Sequence, residues 1–106
     1  MANNFADKHS YEITEILGVA SPQEDLHTDW CKAVIKSLMT NLEDGSTEDG
    51  IDIRTINANT KRCGKGVRLS VEEAHNVADI LLQSGYGSME VLEKEYNRRK
   101  SLYEGK

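Results

Sequence analysis

The chain has 106 residues, 38% of them hydrophobic and 29% charged, which is the size of one domain rather than two. A chain this short buries only ~60–70% of its unfolded surface, so association with a second copy would add stability. Thirteen basic against eighteen acidic residues give a net charge of −5, which argues against general affinity for nucleic acid.

Cys31 and Cys63 are too few and too far apart for a disulfide framework or a cysteine-based zinc site, so reduced thiols are expected. No apolar run approaches the ~20 residues that cross a bilayer. The opening MANNFADKHS lacks the basic-then-apolar order of a signal peptide. A soluble cytoplasmic protein without membrane contact is expected.

Residues 1–10 are polar and aperiodic, and read as a flexible N-terminal arm. From Tyr11, strand alternation puts Tyr11, Ile13, Leu17 and Val19 on one face, interrupted by Glu15, while Ile13, Ile16 and Leu17 also fit a short helical stripe. Both readings are open. Ser21, Pro22 and Glu24 form a helix start, and Leu26, Trp30, Val34, Leu38 and Leu42 continue it at four-residue steps. Read locally, residues 21–42 are a helix. Residues 43–50, EDGSTEDG, then form an acidic, glycine-rich turn.

Ile51, Ile53 and Thr55 alternate with Asp52, Arg54 and Ile56, the period of a half-buried strand. Beyond a loop at 57–66 that carries Lys61, Arg62 and Lys65, Val67 and Leu69 alternate with Gly66 and Arg68. The two strands would share an apolar face and turn their arginines the other way. Residues 51–69 hold five basic residues and one acidic, which leaves the rest of the chain at −9 and suggests a local anion-binding patch. Ser70 with Glu73 is a capping box that starts a helix at Val71. Its stripe of Ala74, Val77, Ala78, Leu81 and Leu82 suits it to cover the sheet, and Gly85 ends it. A last helix is capped by Ser88 and carries Met89, Leu92, Tyr96 and Tyr103 at helical spacing. Glu90–Lys94 and Glu95–Arg99 are acid-before-base pairs, and Arg98, Arg99 and Lys100 complement the helix dipole.

No catalytic constellation surrounds His9, His27 or His75, so the reading is non-enzymatic. His27 and Cys31 would share a helical face but make only two ligands, and no metal or other cofactor is expected. The Gly64-Lys65-Gly66 run lacks the glycine spacing and the following Ser or Thr of a nucleotide-binding loop.

The IDIR strand, the polar loop, the GKGVRLS turn-and-strand and the VEE helix start resemble the positive cofactor 4 family of transcriptional coactivators, and most closely its small bacterial YdbC-like branch. YEITEILGVAS resembles that family's first strand and WCKAVIKSLMTN its second, whereas nothing from Tyr86 onward matches. The resemblance implies an α+β fold, in which a curved four-stranded antiparallel sheet is followed by a covering helix; an extra C-terminal helix is added here. It implies a strand over about 30–40, with Lys32, Val34, Lys36 and Leu38 facing one way and Cys31, Ala33, Ile35 and Met39 the other. A short helical or turn insertion around 22–27 would precede it. That version is favoured over the helix because a two-stranded hairpin with one helix is marginal. The expected organisation is an arm at 1–10, a single-stranded-nucleic-acid-binding domain at 11–85 and a helical extension at 86–106.

The family pairs two such units and binds single-stranded nucleic acid on their sheets. Carried over, this puts Lys32, Lys36, Arg54, Arg62 and Lys65 in the groove, with Trp30 as an aromatic; Arg68 joins by alternation and Lys61 by its place in the loop. Ile56 and Met39 stand where the family has aromatic rings. The implied function is that of a homodimeric single-stranded-DNA-binding protein of coactivator type, with RNA as a further ligand, acting in transcription, replication or repair. The alternative is a non-enzymatic protein-interaction module that keeps the fold and binds nucleic acid weakly or not at all, with the C-terminal helix as its partner surface.

Overall fold

Four successive segments that alternate along the chain pair as neighbours in the order β1-β2-β3-β4, all antiparallel, in a computed structural model that describes residues 8–21, 29–57, 59–60 and 62–104. The strands are β1 (His9–Val19), β2 (Trp30–Asn41), β3 (Thr47–Asn57) and β4 (Cys63–Leu69). Two helices follow, α1 (Val71–Gln83) and α2 (Met89–Glu104), so the fold is α+β as expected. The chain divides into a sheet unit, Met1–Ala74, and a helical unit, His75–Lys106. Of the arm expected over 1–10, residues 1–7 lie outside the described residues, as do the insertion at 22–27 and Lys61, whereas His9 and Ser10 already belong to β1 and pair with Asn41 and Thr40.

The local helical pattern at 30–41 yields to a strand. Cross-strand partners on both sides, Val19 to His9 on β1 for Ala33–Asn41 and Asn57 to Thr47 on β3 for Trp30–Thr40, pair most of β2 in two ladders at once. The hairpin to β3 is also tighter than expected. Only residues 42–46 turn, with Asn41 Oδ1 accepting from Glu43 N at 2.8 Å and Asp44 Oδ1 from Ser46 N at 2.8 Å. Thr47, Glu48, Asp49 and Gly50, expected in the turn, instead extend β3 against Thr40, Met39, Leu38 and Ser37. The ladder overrides their poor strand propensity. β4 likewise starts early, at Cys63, and takes Gly64, Lys65 and Gly66 out of the expected loop.

β1 is a strand, and it opens at His9. Register shifts between Ile13 and Glu15, and between Ile16 and Gly18, are bulges that reset its alternation. Ile16 rather than Leu17 therefore continues the face of Tyr11 and Ile13, opposite Ile35, and Leu17 and Val19 are exposed. The sheet curves strongly toward that face. Tyr11 reaches across β2 to Asp52 on β3, and residues 11–16 of β1 line a cleft together with Cys63 of β4.

The core occupies this concave face: Cys31, Ala33, Ile35 and Ile56 are buried, and Ile13 and Ile16 pack against them. Ile51, Ile53, Val67 and Leu69 share a face as expected, yet it is the opposite one, with Ile53 38% and Val67 52% exposed. Counting apolar residues at period two selects the wrong side because the buried side carries charges that neutralise one another.

Gly66 stands opposite Arg54 where β4 approaches β3 closely: a β-carbon there would lie 2.5 Å from both Arg54 Cα and Ile53 O. Gly66→Ala is expected to destabilise the sheet by about 1–3 kcal/mol, because the obstructing atoms are largely backbone. An unchanged urea midpoint would show that the strands are not so close.

The helix ends follow their local signals. Glu73 N donates to Ser70 Oγ at 3.1 Å and Ser70 N to Glu73 Oε1 at 2.9 Å, completing the capping box. Gly85, at φ 90°, closes α1 with Tyr86 N donating to Leu81 O and Gly85 N to Leu82 O, a Schellman end. Ser88 caps α2 by accepting from Val91 N at 3.1 Å. No helix among the described residues is long and apolar enough to cross a membrane.

Candidate nucleic-acid interface

Of the eight residues singled out in the sequence, Lys61 lies outside the described residues, Arg62 precedes β4 in the loop, and the other six divide between the two faces of the sheet. Asp52, Arg54 and Ile56 alternate with Ile53 and Thr55, and the register sets Asp52 opposite Ile35 and Arg68. Arg54 and Arg68 thus share the concave face with Asp52, whose side chain is 0% exposed. Arg54 Nε donates to Asp52 Oδ2 at 2.7 Å and its Nη1 to Gly64 O at 3.2 Å. Ser37 Oγ donates to Asp52 Oδ1 at 2.6 Å and Tyr11 Oη to Oδ2 at 2.8 Å. Arg68 Nε lies 3.9 Å from Asp52 Oδ1 and donates to Ser37 Oγ, while its Nη2 donates to Glu48 O at 2.8 Å.

The Arg54 guanidinium also sits 5.7 Å from the centroid of the Tyr11 ring, close enough for a cation–π contribution. Burial, followed by the hydrogen bond to Asp52, holds the Tyr11 phenol well above its ordinary pKa. It stays a donor at any physiological pH. Gly50 leaves the room that the Arg68 guanidinium fills, since a β-carbon there would come within 2.5 Å of its Cζ. Both arginine side chains are 17% exposed. Both are engaged with the Asp52 carboxylate, Arg68 also with Glu48 Oε1 at 3.5 Å, and this cluster was not anticipated as a unit. Its signal was an aspartate inside an apolar strand, with an arginine two residues on and another at the equivalent place on the next strand.

The convex face gathers a different subset. Lys32 pairs with Thr55, Lys36 with Ile51 and Trp30 with Asn57, so Trp30, Lys32 and Lys36 project together from β2. The Lys32 backbone is fixed at the start of that strand, its N–H donating to Ser21 Oγ at 2.9 Å and its carbonyl accepting from Ala20 N at 2.8 Å. On β4 Lys65 lies two residues from Val67 and so on this side, where Lys32, Ile53, Arg54, Thr55, Lys65 and Gly66 line an open cleft. The Trp30 indole lies over Gly64: a β-carbon on Gly64 would meet Trp30 Cζ3 at 3.5 Å and Thr55 Cβ at 3.4 Å. Trp30 as a whole is 41% exposed.

Lys32, Lys36 and Lys65 make no ion pair among the described residues. Carboxylates stand on both strands that flank β2, with Glu12 opposite Leu38 and Glu15 opposite Lys36 on β1, and Asp49 opposite Leu38 on β3. Arg62 is exposed at the end of the β3–β4 loop, held by Asn57 N donating to Arg62 O at 2.8 Å. Asn57 Oδ1 also accepts from Asn59 N and Thr60 N at 3.0 Å, which folds the loop back on its own strand. Cys31 lies on β2 and is buried in the sheet core, while His27, with which it was to share a helical face, lies outside the described residues.

Comparison of the chain with protein-family models, with curated proteins and with solved structures returns no match.

Proposed function

We propose that this chain is a homodimeric single-stranded-nucleic-acid-binding protein of the transcriptional-coactivator type, acting on DNA in transcription, replication or repair. The observation that carries the reading is the grouping of an exposed indole with three lysines that have no ion pair among the described residues, on the convex face of β2 and β4. A single strand needs cations along its phosphates and rings beneath its bases, and this face offers both within one patch. The resemblance of residues 51–73 to the positive cofactor 4 family supports the same reading. Arg54 and Arg68 belong to the scaffold under this proposal, and the phosphate contacts fall to Lys32, Lys36, Arg62 and Lys65. The acidic remainder of the chain repels the rest of a strand and keeps the footprint narrow.

Titration of oligo-dT at several salt concentrations tests it. Four phosphate contacts per protomer predict a slope of log affinity against log salt of about −3, at ~0.7 for each contact on a single strand. A slope near zero, or no binding at low salt, would support the second reading, a protein-interaction module. That alternative is favoured by the commitment of both buried arginines to Asp52 and by the apolar side chains exposed on both helices.

A further inference from the structure

Helix α2 carries charges that make no ion pair among the described residues, although Lys100 Nζ lies 5.9 Å from the centroid of its own Tyr96 ring. Glu90 pairs with Lys94 at 3.0 Å, and Glu95 pairs with Arg98 and with Arg99, the latter at 3.0 Å. These guanidiniums hold the Glu95 carboxyl down at about 2. Glu93, Lys100 and Glu104 make no ion pair among the described residues. Met89, Leu92, Tyr96, Arg99 and Tyr103 recur at alternating steps of three and four, the a and d positions of two heptads. Most of this stripe lines an open groove with Leu82 of α1, and neither helix has a buried residue.

Charge decides what fills the groove. In this heptad frame Glu93 and Lys100 are the two e positions, one in each heptad. When two such helices pair antiparallel, e faces e, so Glu93 of one copy meets Lys100 of the other, and by symmetry the contact occurs twice. The acidic first half of the helix (Glu90, Glu93, Glu95) then lies against the basic second half (Arg98, Arg99, Lys100) of its mate. The same register stacks Leu92 on Tyr103 and places the planar Arg99 guanidinium on the Tyr96 ring of the second copy. A parallel pair would set acidic half on acidic half and leave Glu93 opposite Ser88.

We propose that a second copy of this chain docks on α2, with the two helices antiparallel and Glu93–Lys100 contacts on both flanks of a Leu92–Tyr96–Arg99–Tyr103 seam. This goes beyond the dimer of the proposed function by naming the helix and its direction, and it does not depend on nucleic-acid binding. The test is sedimentation equilibrium of the full chain across a micromolar concentration series. Glu93→Lys and Lys100→Glu, each alone, are expected to weaken association about tenfold, because both symmetric contacts turn from attraction to repulsion. An equimolar mixture of the two variants is expected to recover wild-type association, since one chain then carries two lysines and the other two glutamates at the e positions. Circular dichroism should show equal helix content in all three proteins. A monomeric wild type, or a dimer that Glu93→Lys leaves unweakened, overturns the proposal. A mixture no tighter than either variant alone also overturns it. In the Glu93→Lys case the dimer of the proposed function would stand on another surface, and loss of oligo-dT binding would strike only that function.

Discussion

Replacing Asp52 by asparagine is expected to lower the stability of the sheet by about 3–5 kcal/mol, the range for removing one partner of a buried charged pair. The carboxylate is fully buried and answers two guanidiniums that are themselves mostly buried. Without its charge, Arg54 keeps only neutral acceptors and Arg68 only the exposed Glu48 carboxylate, 3.5 Å from its Nη1. The loss would be a large share of the ~5–15 kcal/mol that holds a domain of this size together. Tyr11→Phe provides the scale, because it removes one donor from a carboxylate that keeps its other partners and should cost only about 1 kcal/mol. Urea denaturation measures both, with an unchanged slope showing that the unfolded state is not involved. If Asp52→Asn moves the midpoint no more than Tyr11→Phe does, the cluster is solvated and the concave face is not the core.

This cluster also explains which parts of the molecule could be read in advance. The helix ends were legible because each depends on residues within a turn of one another: Ser70 with Glu73, Gly85 with Leu81 and Leu82, Ser88 with Val91. β2 was ambiguous for the opposite reason, since its four-residue apolar steps satisfy a helix and only its two neighbours make it a strand. On β1, the bulge at Thr14 shifts the face by one residue, and nothing in the composition of YEITEILGV marks that position.

Alternation correctly grouped Arg54 with Arg68 and set Lys32 with Lys36, but it could not say which group faced inward. That choice depends on Tyr11, Ser37 and Asp52, which lie on three different strands. Hydrophobic counting assumes that the apolar side is buried, whereas here three polar side chains and two arginines are mutually satisfied and take its place. The consequence for the site is a division of labour. Arginine, with its planar fork, serves the fixed carboxylate, while lysine, a point charge on a flexible stem, remains on the convex face where a mobile phosphate chain would lie.

Trp30→Ala is expected to weaken oligo-dT binding by roughly 5- to 150-fold, the equivalent of ~1–3 kcal/mol for one base stacked on a ring. The indole rests on Gly64, which fixes its orientation at little entropic cost on binding, and Trp30 is 41% exposed. Trp30 is the only tryptophan, so its fluorescence reports directly, and quenching should saturate with the oligonucleotide. Trp30→Phe should retain most of the affinity, because any aromatic face stacks. Lys65→Ala separates ring from charge: it should reduce the salt slope by ~0.7, whereas Trp30→Ala should lower affinity at every salt concentration and leave the slope unchanged. The competing role for this side chain is packing against β4. In that case Trp30→Ala would lower the urea midpoint, the folded molecules would bind as tightly as before, and the wild-type emission would not respond to oligo-dT. That result would remove the stacking platform and with it the convex face as the binding surface.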